Sequence, residues 1–355
     1  MTSLPTQRFL AEWHPQEAVL LAWPFPQSDW QPWLEPIQKT YVELARAVSE
    51  TATPVILCQD AAHQQAIITQ LGPQLVQKVR LVQCAYNDTW CRDYGPLALG
   101  GQDAVDSLVS FQFTGWGDKY ESANDNLVNA ELETMSAWRV PLSQVALELE
   151  GGAIDTDGQG TLLTTEACLL AGNRNQSMDR MDVEAALIRF LGVNRVIWLQ
   201  EGYLIGDDTD SHVDNLVRFA NPQTLVYACC DRPEDPHFGP LKAMEAEVKS
   251  LLQANGEPYQ CLPLMIPEAL HDENGTRLPA SYVNFLILND TVIVPVFGSP
   301  YDSTAMQQLA QAFPEHRLIP VDGRQLIKQY GGPHCATMQL PQNTMNPTFL
   351  GERSC

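Results

Sequence analysis

Residues 181–228 of this chain read MDVEAALIRFLGVNRVIWLQEGYLIGDDTDSHVDNLVRFANPQTLVYA. The first part, Met181–Leu191, has the apolar spacing of an amphipathic helix. Three short apolar runs follow, and they predict strands at Val196–Leu199, Leu216–Phe219 and Thr224–Ala228. A helix that alternates with short strands is typical of an α/β fold.

The same alternation continues along the rest of the chain. From Asn124 onward, predicted helices begin at intervals of roughly 55–65 residues, which indicates repeated β-rich units that each carry one helix. No Pro-, Gly- or Ser-rich linker divides the sequence, so we predict one compact domain over residues 1–355. The other predicted strands are Ala18–Trp23, Pro54–Cys58, Val79–Val82, Leu108–Phe113, Tyr282–Leu288 and Val292–Val296, and the other predicted helices are Trp33–Ser49, Ala61–Leu71, Asn124–Trp138, Pro240–Asn255 and Ser303–Phe313.

The charge balance of the chain is strongly acidic. Its 355 residues include 21 Lys and Arg against 43 Asp and Glu, so the formal net charge is −22 at pH 7. Nucleic-acid binding depends on Lys and Arg that displace counterions from phosphates, so this protein is not expected to bind nucleic acid. The same electrostatic field attracts small cations, which makes a small cationic substrate the expected partner.

The composition, with 45% apolar and 18% charged residues, is that of an ordinary globular protein. No apolar run approaches the length of about 18 residues that a membrane span needs. Residues 1–15 lack the basic and apolar segments of a secretory signal. Nine cysteines without a C-x-x-C pair argue against a disulfide framework and against a structural zinc site. We therefore predict a cytoplasmic protein with reduced thiols and no membrane association.

Four short clusters carry residues that could do chemistry, and the first two are acidic. Residues 87–96 (NDTWCRDYGP) follow a predicted strand and end in a Gly-Pro turn. Their simpler interpretation is a capped turn in which Asp93 accepts backbone N–H groups. Residues 147–152 (LELEGG) would place Glu148 and Glu150 on one face of a strand, before two glycines that permit close approach of a ligand. The alternative is an acidic strand end at a turn.

The other two clusters contain histidine and cysteine. Residues 206–215 (GDDTDSHVDN) surround His212 with aspartates, and a strand that begins before His212 would turn it and Asp214 to the same face. The spacing does not match a calcium loop, and a solvated polar loop is the alternative. Residues 330–338 (YGGPHCATM) present Cys335 after a turn, although a buried free cysteine is the alternative. We expect His212 rather than His334 to be its base, because neighbours in an extended segment point to opposite faces.

One type of reaction needs all four clusters together. A guanidinium is planar and permanently protonated, so a closed pocket that holds it must supply matching carboxylates. Its central carbon is open to attack by a thiolate. One histidine can first protonate the departing ammonia and then activate water. A cysteine, a histidine and three carboxylates are therefore the parts of a guanidine-modifying active site.

The clusters, in this order, resemble those of the agmatine deiminase and bacterial-type peptidylarginine deiminase family. The matching motifs are WxRDxGP at 90–96, EGG at 150–152, TDxHxD at 209–214 and GGxHC at 331–335. Residues 278–285 (LPASYVNF) resemble a further segment of the family, and the whole resemblance runs from Trp13 to Gln339. It implies a five-bladed, pseudo-fivefold α/β-propeller, the pentein fold, with the active site at its centre.

The resemblance implies a role for each matching residue. Cys335 is the expected nucleophile, and His212 is the expected general acid and then general base. Asp93 and Asp214 would hold the guanidinium nitrogens, while Glu150 would hold His212 and part of the substrate. The adduct on Cys335 would lose ammonia, and water would then release a ureido product. No metal and no organic cofactor is expected.

Recognition of the rest of the substrate is expected from residues near these motifs. Trp90 and Asn284 lie in matching segments and are candidate substrate contacts. Segments 113–118 (FTGWGD) and 23–26 (WPFP), which could contact the far end of the substrate, depart from the corresponding segments of agmatine deiminases, and this counts against agmatine itself. Trp116 and, more weakly, Trp23 are therefore candidates for packing on an aliphatic tail, with a place in the core as the alternative. No basic pair is obviously placed to hold an α-carboxylate, which favours agmatine over free or C-terminal arginine.

The preferred function is the hydrolytic deimination of agmatine to N-carbamoylputrescine, a step of polyamine (putrescine) synthesis. Peptidylarginine deimination, which forms protein citrulline, or amidino transfer would use the same catalytic parts. A non-catalytic propeller that serves as a binding module has no need of such a charge-dense site. A cysteine hydrolase that cleaves amides would explain the cysteine and the histidine but would give the three carboxylates no role. The sequence is compatible with a homo-oligomer but does not determine the oligomeric state.

Overall fold

The computed structural model of the chain describes residues 7–101 and 104–351. Within these ranges the backbone forms 17 strands, many of them short. In chain order they are β1 (Arg8–Phe9), β2 (Gln16–Ala22), β3 (Thr53–Cys58), β4 (Arg80–Gln83), β5 (Leu97–Gly100), β6 (Val105–Gln112), β7 (Leu142–Glu148), β8 (Ile154–Thr156), β9 (Thr161–Thr165), β10 (Arg195–Leu199), β11 (Val217–Asn221), β12 (Thr224–Cys229), β13 (Gln260–Met265), β14 (Leu286–Leu288), β15 (Thr291–Val296), β16 (Arg317–Asp322) and β17 (Met338–Pro341).

Helices connect many of these strands. Helix α1 buries the face predicted from its sequence, formed by Ile37, Tyr41, Leu44, Ala45 and Val48. The α-helices of the described residues are α1 (Leu34–Val48), α2 (Ala61–Leu75, interrupted at Gly72), α3 (Cys91–Tyr94), α4 (Gly115–Asp118), α5 (Val128–Thr134), α6 (Glu166–Leu169), α7 (Arg180–Leu191), α8 (Phe238–Ser250), α9 (Asp302–Ala312) and α10 (Pro347–Leu350).

The described strands form five separate small sheets. Their strand orders are β1-β5-β6-β7, β10-β9-β8, β11-β12-β13, β14-β15-β16 and β17-β2-β3-β4. Each sheet contains the same three-stranded unit. Two of its strands are antiparallel, and a helical connection leads from one of these two to a third strand that runs parallel to it. This is the mixed α/β class that the alternation of helices and strands predicted, with a helix in each parallel crossover.

The sheet that begins near the N-terminus is completed by the last strand of the chain. Strand β17 pairs antiparallel with β2, so that Met338 lies opposite Leu20. Both strands are buried along almost their whole length. The pairing therefore brings the segment after Cys335 against the beginning of the chain.

Two sequence predictions differ from the structure for reasons of side-chain chemistry. Strand β9 was not predicted, because its sequence TLLTT is largely polar, yet all five residues are buried. Burial is possible because the hydroxyl of Thr164 donates to the carbonyl of Ala153 at 2.8 Å. Of the strand predicted at Tyr282–Leu288, only Leu286–Leu288 forms a strand, β14. The residues before β14 follow an irregular path, because the side chains of Ser281 and Asn284 hydrogen-bond to backbone groups elsewhere in the chain.

No helix among the described residues has the length and apolar character that would let it cross a membrane.

Candidate active site

A cavity of about 250 Å³ lies where three of the four sequence clusters meet. Four of the predicted site residues line it: Trp90, Asp93, Trp116 and Cys335. The remaining lining residues are Asp29, Trp33, Asp88, Tyr120, Asp208, Thr209, Lys328, Gln329, Tyr330 and Gly331. Three of the four sequence clusters therefore converge on one cavity, and among the described cysteines Cys335 is the one that lines it.

Cys335 lies in a turn rather than in an extended segment. The backbone N–H of Ala336 donates to the carbonyl of Gly332 at 3.1 Å, which closes the turn around the cysteine. The expectation that His334 and Cys335 point to opposite sides is therefore wrong. Both side chains contact the same oxygen of Asp214, at 2.8 Å from His334 Nδ1 and 3.4 Å from Cys335 Sγ.

The two glycines of this cluster allow close packing beside the cysteine. A Cβ on Gly331 would lie 2.4 Å from the ring of Trp90, and a Cβ on Gly332 would lie 2.4 Å from Asn284 Oδ1. Neither position has room for a side chain. Asn284 can therefore approach closely enough for its Nδ2 to donate to the Cys335 sulfur at 3.0 Å.

The thiol of Cys335 is in an environment that disfavours the thiolate. Burial, together with the nearby carboxylates of Asp214 and Asp93, raises the pKa of Cys335 well above its ordinary value. The hydrogen bond from Asn284 acts in the opposite direction but is outweighed. These surroundings therefore favour the protonated thiol over the thiolate.

Asp93 is presented by the single helical turn α3 and is buried. Its Oδ2 accepts from the indole N–H of Trp116 at 2.9 Å, and its Oδ1 accepts from the backbone N–H of Gly152 at 2.8 Å. Burial is the main cause of a raised pKa for Asp93, and the ring of His212 opposes this effect. These contacts fix the plane of the carboxylate at the cavity wall.

Trp116 owes its position to an unusual backbone. Its φ is +58°, and the flanking Gly115 and Gly117 also have positive φ values. This is the left-handed region that glycine adopts readily. The ring packs edge-on against Phe113 and Tyr120 while its N–H is bound to Asp93. The loop therefore holds a flat apolar surface beside the carboxylate, as the substrate-contact prediction requires.

His212 is fully buried beside Asp93, with its Nδ1 at 3.8 Å from Asp93 Oδ1. Burial alone would lower the pKa of the ring, but Asp93, Cys168 and Glu150 outweigh it and raise the pKa of His212 to about 10. The strand predicted at Leu216–Phe219 is β11, which begins at Val217, and residues 213–215 form a 3₁₀ turn, so the condition that the strand begins before His212 is not met. The turn nevertheless brings His212 and Asp214 to the same site.

Glu150 lies behind the cavity, at the end of β7 and before a 3₁₀ turn. Its Oε1 accepts from Arg174 Nε at 2.7 Å, while its Oε2 is buried without a hydrogen-bond partner. Arg174 is itself buried and also contacts Asp210 at 2.6 Å. Arg174 was not predicted from the sequence, although an arginine in the polar loop after α6 is a possible partner for the acidic clusters.

Asp214 is fully buried and uses only one of its two oxygens. Its Oδ2 accepts from His334 and from Cys335, whereas its Oδ1 has no hydrogen-bond partner. Burial would raise the pKa of Asp214, but the hydrogen bond and charge of His334 lower it overall. An ionised, buried oxygen without a partner is costly unless a ligand satisfies it.

A network of buried charges supports this site from behind. Glu12 Oε2 is 2.7 Å from His334 Nε2 and 2.8 Å from Arg218 Nη2, and Arg218 also binds Asp155 at 3.0 Å. The network was not predicted from the sequence. Its one visible signal was Arg218, a charged residue within an otherwise apolar strand.

A metal-like arrangement of donors exists within the described ranges, formed by Glu150, Cys168 and His212. Their ligand atoms lie within 4.8 Å of one another, and zinc accepts such a mixed set of donors. However, the guanidinium of Arg174 already occupies one oxygen of Glu150. This fixed positive charge disfavours a cation at the same place.

Trp23, the weaker candidate for a substrate contact, does not reach the cavity. It is fully buried, packs edge-on against Tyr41 and donates its indole N–H to Gln70 at 3.0 Å. The structure therefore corrects this prediction, and Trp23 is a core aromatic. Trp90, by contrast, both lines the cavity and packs against Trp30.

The outer part of the cavity is acidic. Asp29, Asp88 and Asp208 line it. Burial, and to a smaller extent the negative charge of Asp29, raise the pKa of Asp88 to about 7. Lys328 is the single basic residue among the lining residues, and it is bound to Glu273 at 2.7 Å. The electrostatic character therefore favours a positively charged group in this part of the cavity.

Known proteins resemble this chain over nearly its whole length. Residues 8–341 match the family model of the Porphyromonas-type peptidyl-arginine deiminases. The chain is 34% identical to an agmatine deiminase of Pseudomonas fluorescens, and the match covers 93% of this chain and 94% of the relative.

Two solved structures have closely similar folds. One, from Porphyromonas gingivalis and provisionally named an arginine deiminase, has a TM-score of 0.90 and 40% identity, and covers 96% of this chain and 100% of its own. The other, an agmatine deiminase of C. jejuni with substrate bound, has a TM-score of 0.87 and 33% identity, with 94% and 96% covered. Sequence and fold therefore agree that this chain belongs to the family of agmatine deiminases and Porphyromonas-type peptidyl-arginine deiminases.

Proposed function

We propose that this protein hydrolyses agmatine to N-carbamoylputrescine and ammonia through a covalent thiouronium on Cys335. The observation that carries the proposal is that Cys335 and Asp93 line one acidic cavity, while His212 lies 3.8 Å from Asp93 and Asp214 lies 3.4 Å from Cys335. The third carboxylate, Glu150, lies behind them. Relatives named agmatine deiminase support guanidino deimination, a reaction at carbon–nitrogen bonds. The hydrolase class, the substrate and the covalent intermediate are parts of this proposal.

Two carboxylates are suited to hold the guanidinium. The free Oδ1 of Asp214 and the remaining lone pairs of Asp93 would accept its N–H groups, so that the central carbon lies near Cys335 Sγ. Glu150, with its unpartnered Oε2, would hold His212 and part of the substrate. Trp90, Trp116 and Asn284 would contact the substrate or the reacting sulfur.

The positive charge of the bound guanidinium lowers the pKa of Cys335, and the thiol releases its proton to water in the cavity. The resulting thiolate attacks the guanidinium carbon and forms a tetrahedral adduct. The ring of His212, protonated because of its raised pKa, donates a proton to one nitrogen, which leaves as ammonia. A thiouronium on Cys335 remains. Neutral His212 next takes a proton from water, whose oxygen attacks the same carbon. The carbon–sulfur bond breaks, and the ureido product and the thiolate are released.

The acidic outer cavity favours agmatine over substrates that carry a carboxylate there. Agmatine ends in an ammonium, which Asp29, Asp88 and Asp208 would attract, whereas arginine would bring a carboxylate to the same place. Peptidylarginine deimination is the second candidate, because the matching family model carries that name. Amidino transfer would need an amine to replace water in the second step.

The arrangement of the sheets is a further part of the proposal. The common unit in all five sheets, and the closure of β17 on β2, support a five-bladed, pseudo-fivefold α/β-propeller. Organisation as one domain, a cytoplasmic location, a role in putrescine synthesis and a homo-oligomeric state also stay predictions from the sequence.

Incubation of the protein with agmatine, with measurement of ammonia and ureido product together, tests the proposed function. Parallel reactions with arginine and with a peptide that ends in arginine separate the candidates. We expect equal amounts of ammonia and ureido product from agmatine, and much slower reaction of the others. Inactivity on agmatine with turnover of the peptide would replace the first candidate by the second.

A further inference from the structure

His334 bridges two buried carboxylates with its two ring nitrogens. Nδ1 lies 2.8 Å from Asp214 Oδ2, and Nε2 lies 2.7 Å from Glu12 Oε2. A neutral imidazole carries one N–H, so it could donate to only one of these oxygens and would turn a lone pair towards the other. Two carboxylates at these distances are satisfied only when both ring nitrogens carry a proton.

The charges around the ring agree with this protonation state. Three carboxylates, of Glu12, Asp155 and Asp214, face the guanidiniums of Arg92 and Arg218, and a charged imidazole makes the group neutral. Burial would raise the pKa of Glu12, but Arg218, His334 and Arg92 lower it well below its usual range. The titratable and charged groups around His334 are Glu12, Asp214, Asp155, Arg92, Arg218 and Cys335.

The contacts also determine which oxygen of Asp214 stays free. Oδ2 is occupied by His334 and by the thiol of Cys335, so the buried Oδ1 is left without a partner. Without the N–H of His334 the carboxylate would have no charged donor and could rotate. Glu12 in turn is fixed by the backbone N–H of Ile287 at 2.5 Å, so its own orientation is set by the fold.

We propose that His334 is a positioning residue that acts as an imidazolium, held by Glu12, and fixes Asp214 with one oxygen directed at the guanidinium. The inference rests on the proposed function in one respect, namely that Asp214 holds the substrate. It assigns no proton transfer to His334, because its ring contacts the carboxylates rather than the cavity. It also gives the N-terminal segment a part in substrate binding through Glu12.

Two substitutions of His334 separate its contacts. The amide N–H of His334→Asn can take the place of Nδ1 and keep the bond to Asp214, whereas His334→Gln reaches towards Glu12 and loses that bond. We expect His334→Gln to raise KM for agmatine about 10- to 100-fold with a smaller effect on kcat. His334→Asn should stay much closer to the wild type. Equal KM values, within about twofold, for His334→Gln and the wild type would overturn the proposal.

Glu12→Gln tests the charge of the ring. The substitution keeps an acceptor for Ile287 but removes one of the two carboxylates that stabilise the imidazolium. We expect a lower kcat/KM for agmatine, because the ring is then held by one carboxylate fewer and positions Asp214 less well. Asp155→Asn is the matched control, since it also removes one charge from the network but does not touch His334. It should lower Tm with a smaller effect on kcat/KM than Glu12→Gln has.

A direct measurement separates this inference from the proposed function. In protein with ¹⁵N-labelled histidine, the ring-nitrogen shifts of His334, assigned by the loss of its signals in His334→Asn, report whether both nitrogens are protonated. We expect protons on both ring nitrogens in the wild type, and a change in the Nε2 signal in Glu12→Gln, which removes the carboxylate partner of that nitrogen. A neutral ring in the wild type would refute the proposal. Failure of the enzyme to use agmatine would instead refute only the proposed function.

Discussion

Asn284 contacts Cys335 at two points: its Nδ2 donates to the sulfur at 3.0 Å, and its Oδ1 accepts the backbone N–H of the cysteine at 3.3 Å. The same Oδ1 also accepts the N–H of His334 at 3.0 Å. One amide side chain therefore fixes both the backbone and the sulfur at the cavity. The hydrogen bond to sulfur favours the thiolate, but burial and the two aspartates outweigh it.

The first prediction concerns the reactivity of this sulfur. Because the pKa of Cys335 is raised, iodoacetamide should alkylate it slowly at neutral pH in the free enzyme, with an apparent pKa above about 8.5. A bound guanidinium adds a positive charge beside Cys335 and lowers the pKa of its thiol. The rate of deimination should therefore rise at a lower pH than the rate of alkylation in the free enzyme. Cys335→Ser supplies the background rate from the other cysteines and should be inactive. Fast alkylation with a thiol pKa below about 7 would indicate a preformed thiolate–imidazolium pair instead.

The second prediction concerns the glycine behind the histidine. A Cβ on Gly152 would lie 2.7 Å from His212 Nδ1 and 2.9 Å from Asp93 Oδ1. Gly152→Ala should therefore displace both groups and lower kcat about 100-fold, as small misplacements of reacting groups do. Gly239→Ala in α8, where a Cβ meets no atom within 4 Å, is the control and should keep full activity. Full activity of Gly152→Ala would contradict the site as described.

A third prediction follows from the raised pKa of Asp88, which is about 7. Below this pH the side chain is neutral and attracts an ammonium less, so KM for agmatine should fall as the pH rises from about 6 to 8. Asp88→Asn should raise KM about tenfold and remove this dependence. An alkylguanidine of equal length without the amine is the control, and its KM should not respond to the substitution. A similar response with both substrates would remove Asp88 from tail recognition.

The fourth prediction concerns stability. Asp125 is fully buried, accepts the backbone N–H groups of Asn87 and Asp88, and has a pKa raised to about 8, mainly by burial. Its folded-state pKa lies above the unfolded value of about 3.9, so its contribution to stability is present at low pH and is lost as the pH rises through 8. Asp125→Asn keeps the acceptor without the charge. Its free energy of unfolding should exceed that of the wild type by about 1–3 kcal/mol near pH 9, and by a smaller amount near pH 5. Thermal unfolding at both pH values, with the exposed Asp106→Asn as control, decides this.

The sequence predicted the chemistry of the site better than its geometry. Cys335, Asp93 and Trp116 lie at the cavity as expected, because short motifs of polar and aromatic residues mark them. Trp23 was misassigned, because an aromatic residue at the end of a buried strand has the same local sequence whether it faces a cavity or the core.

The supporting charges could not be predicted from local sequence. Glu12, Arg174 and Arg218 are separated from their partners by 24 to 322 residues, and only the fold brings them together. His334 shows a related limit. Its direction was inferred from an extended backbone, whereas the glycines before it permit a turn that points it to the same carboxylate as Cys335.

The bond between Glu12 and His334 joins positions 322 residues apart, and β17 joins the sheet begun by β2. Contacts of such long range form late and slowly. During synthesis Glu12 is made more than 300 residues before His334 and Cys335, so the site cannot assemble until the later segment has been made. A shortened chain that ends before residue 335 lacks the cysteine. One that ends just after residue 335 lacks β17, whose pairing with β2 holds the cysteine segment in position. The cavity can therefore take its final form only after β17 has been synthesised and has paired with β2.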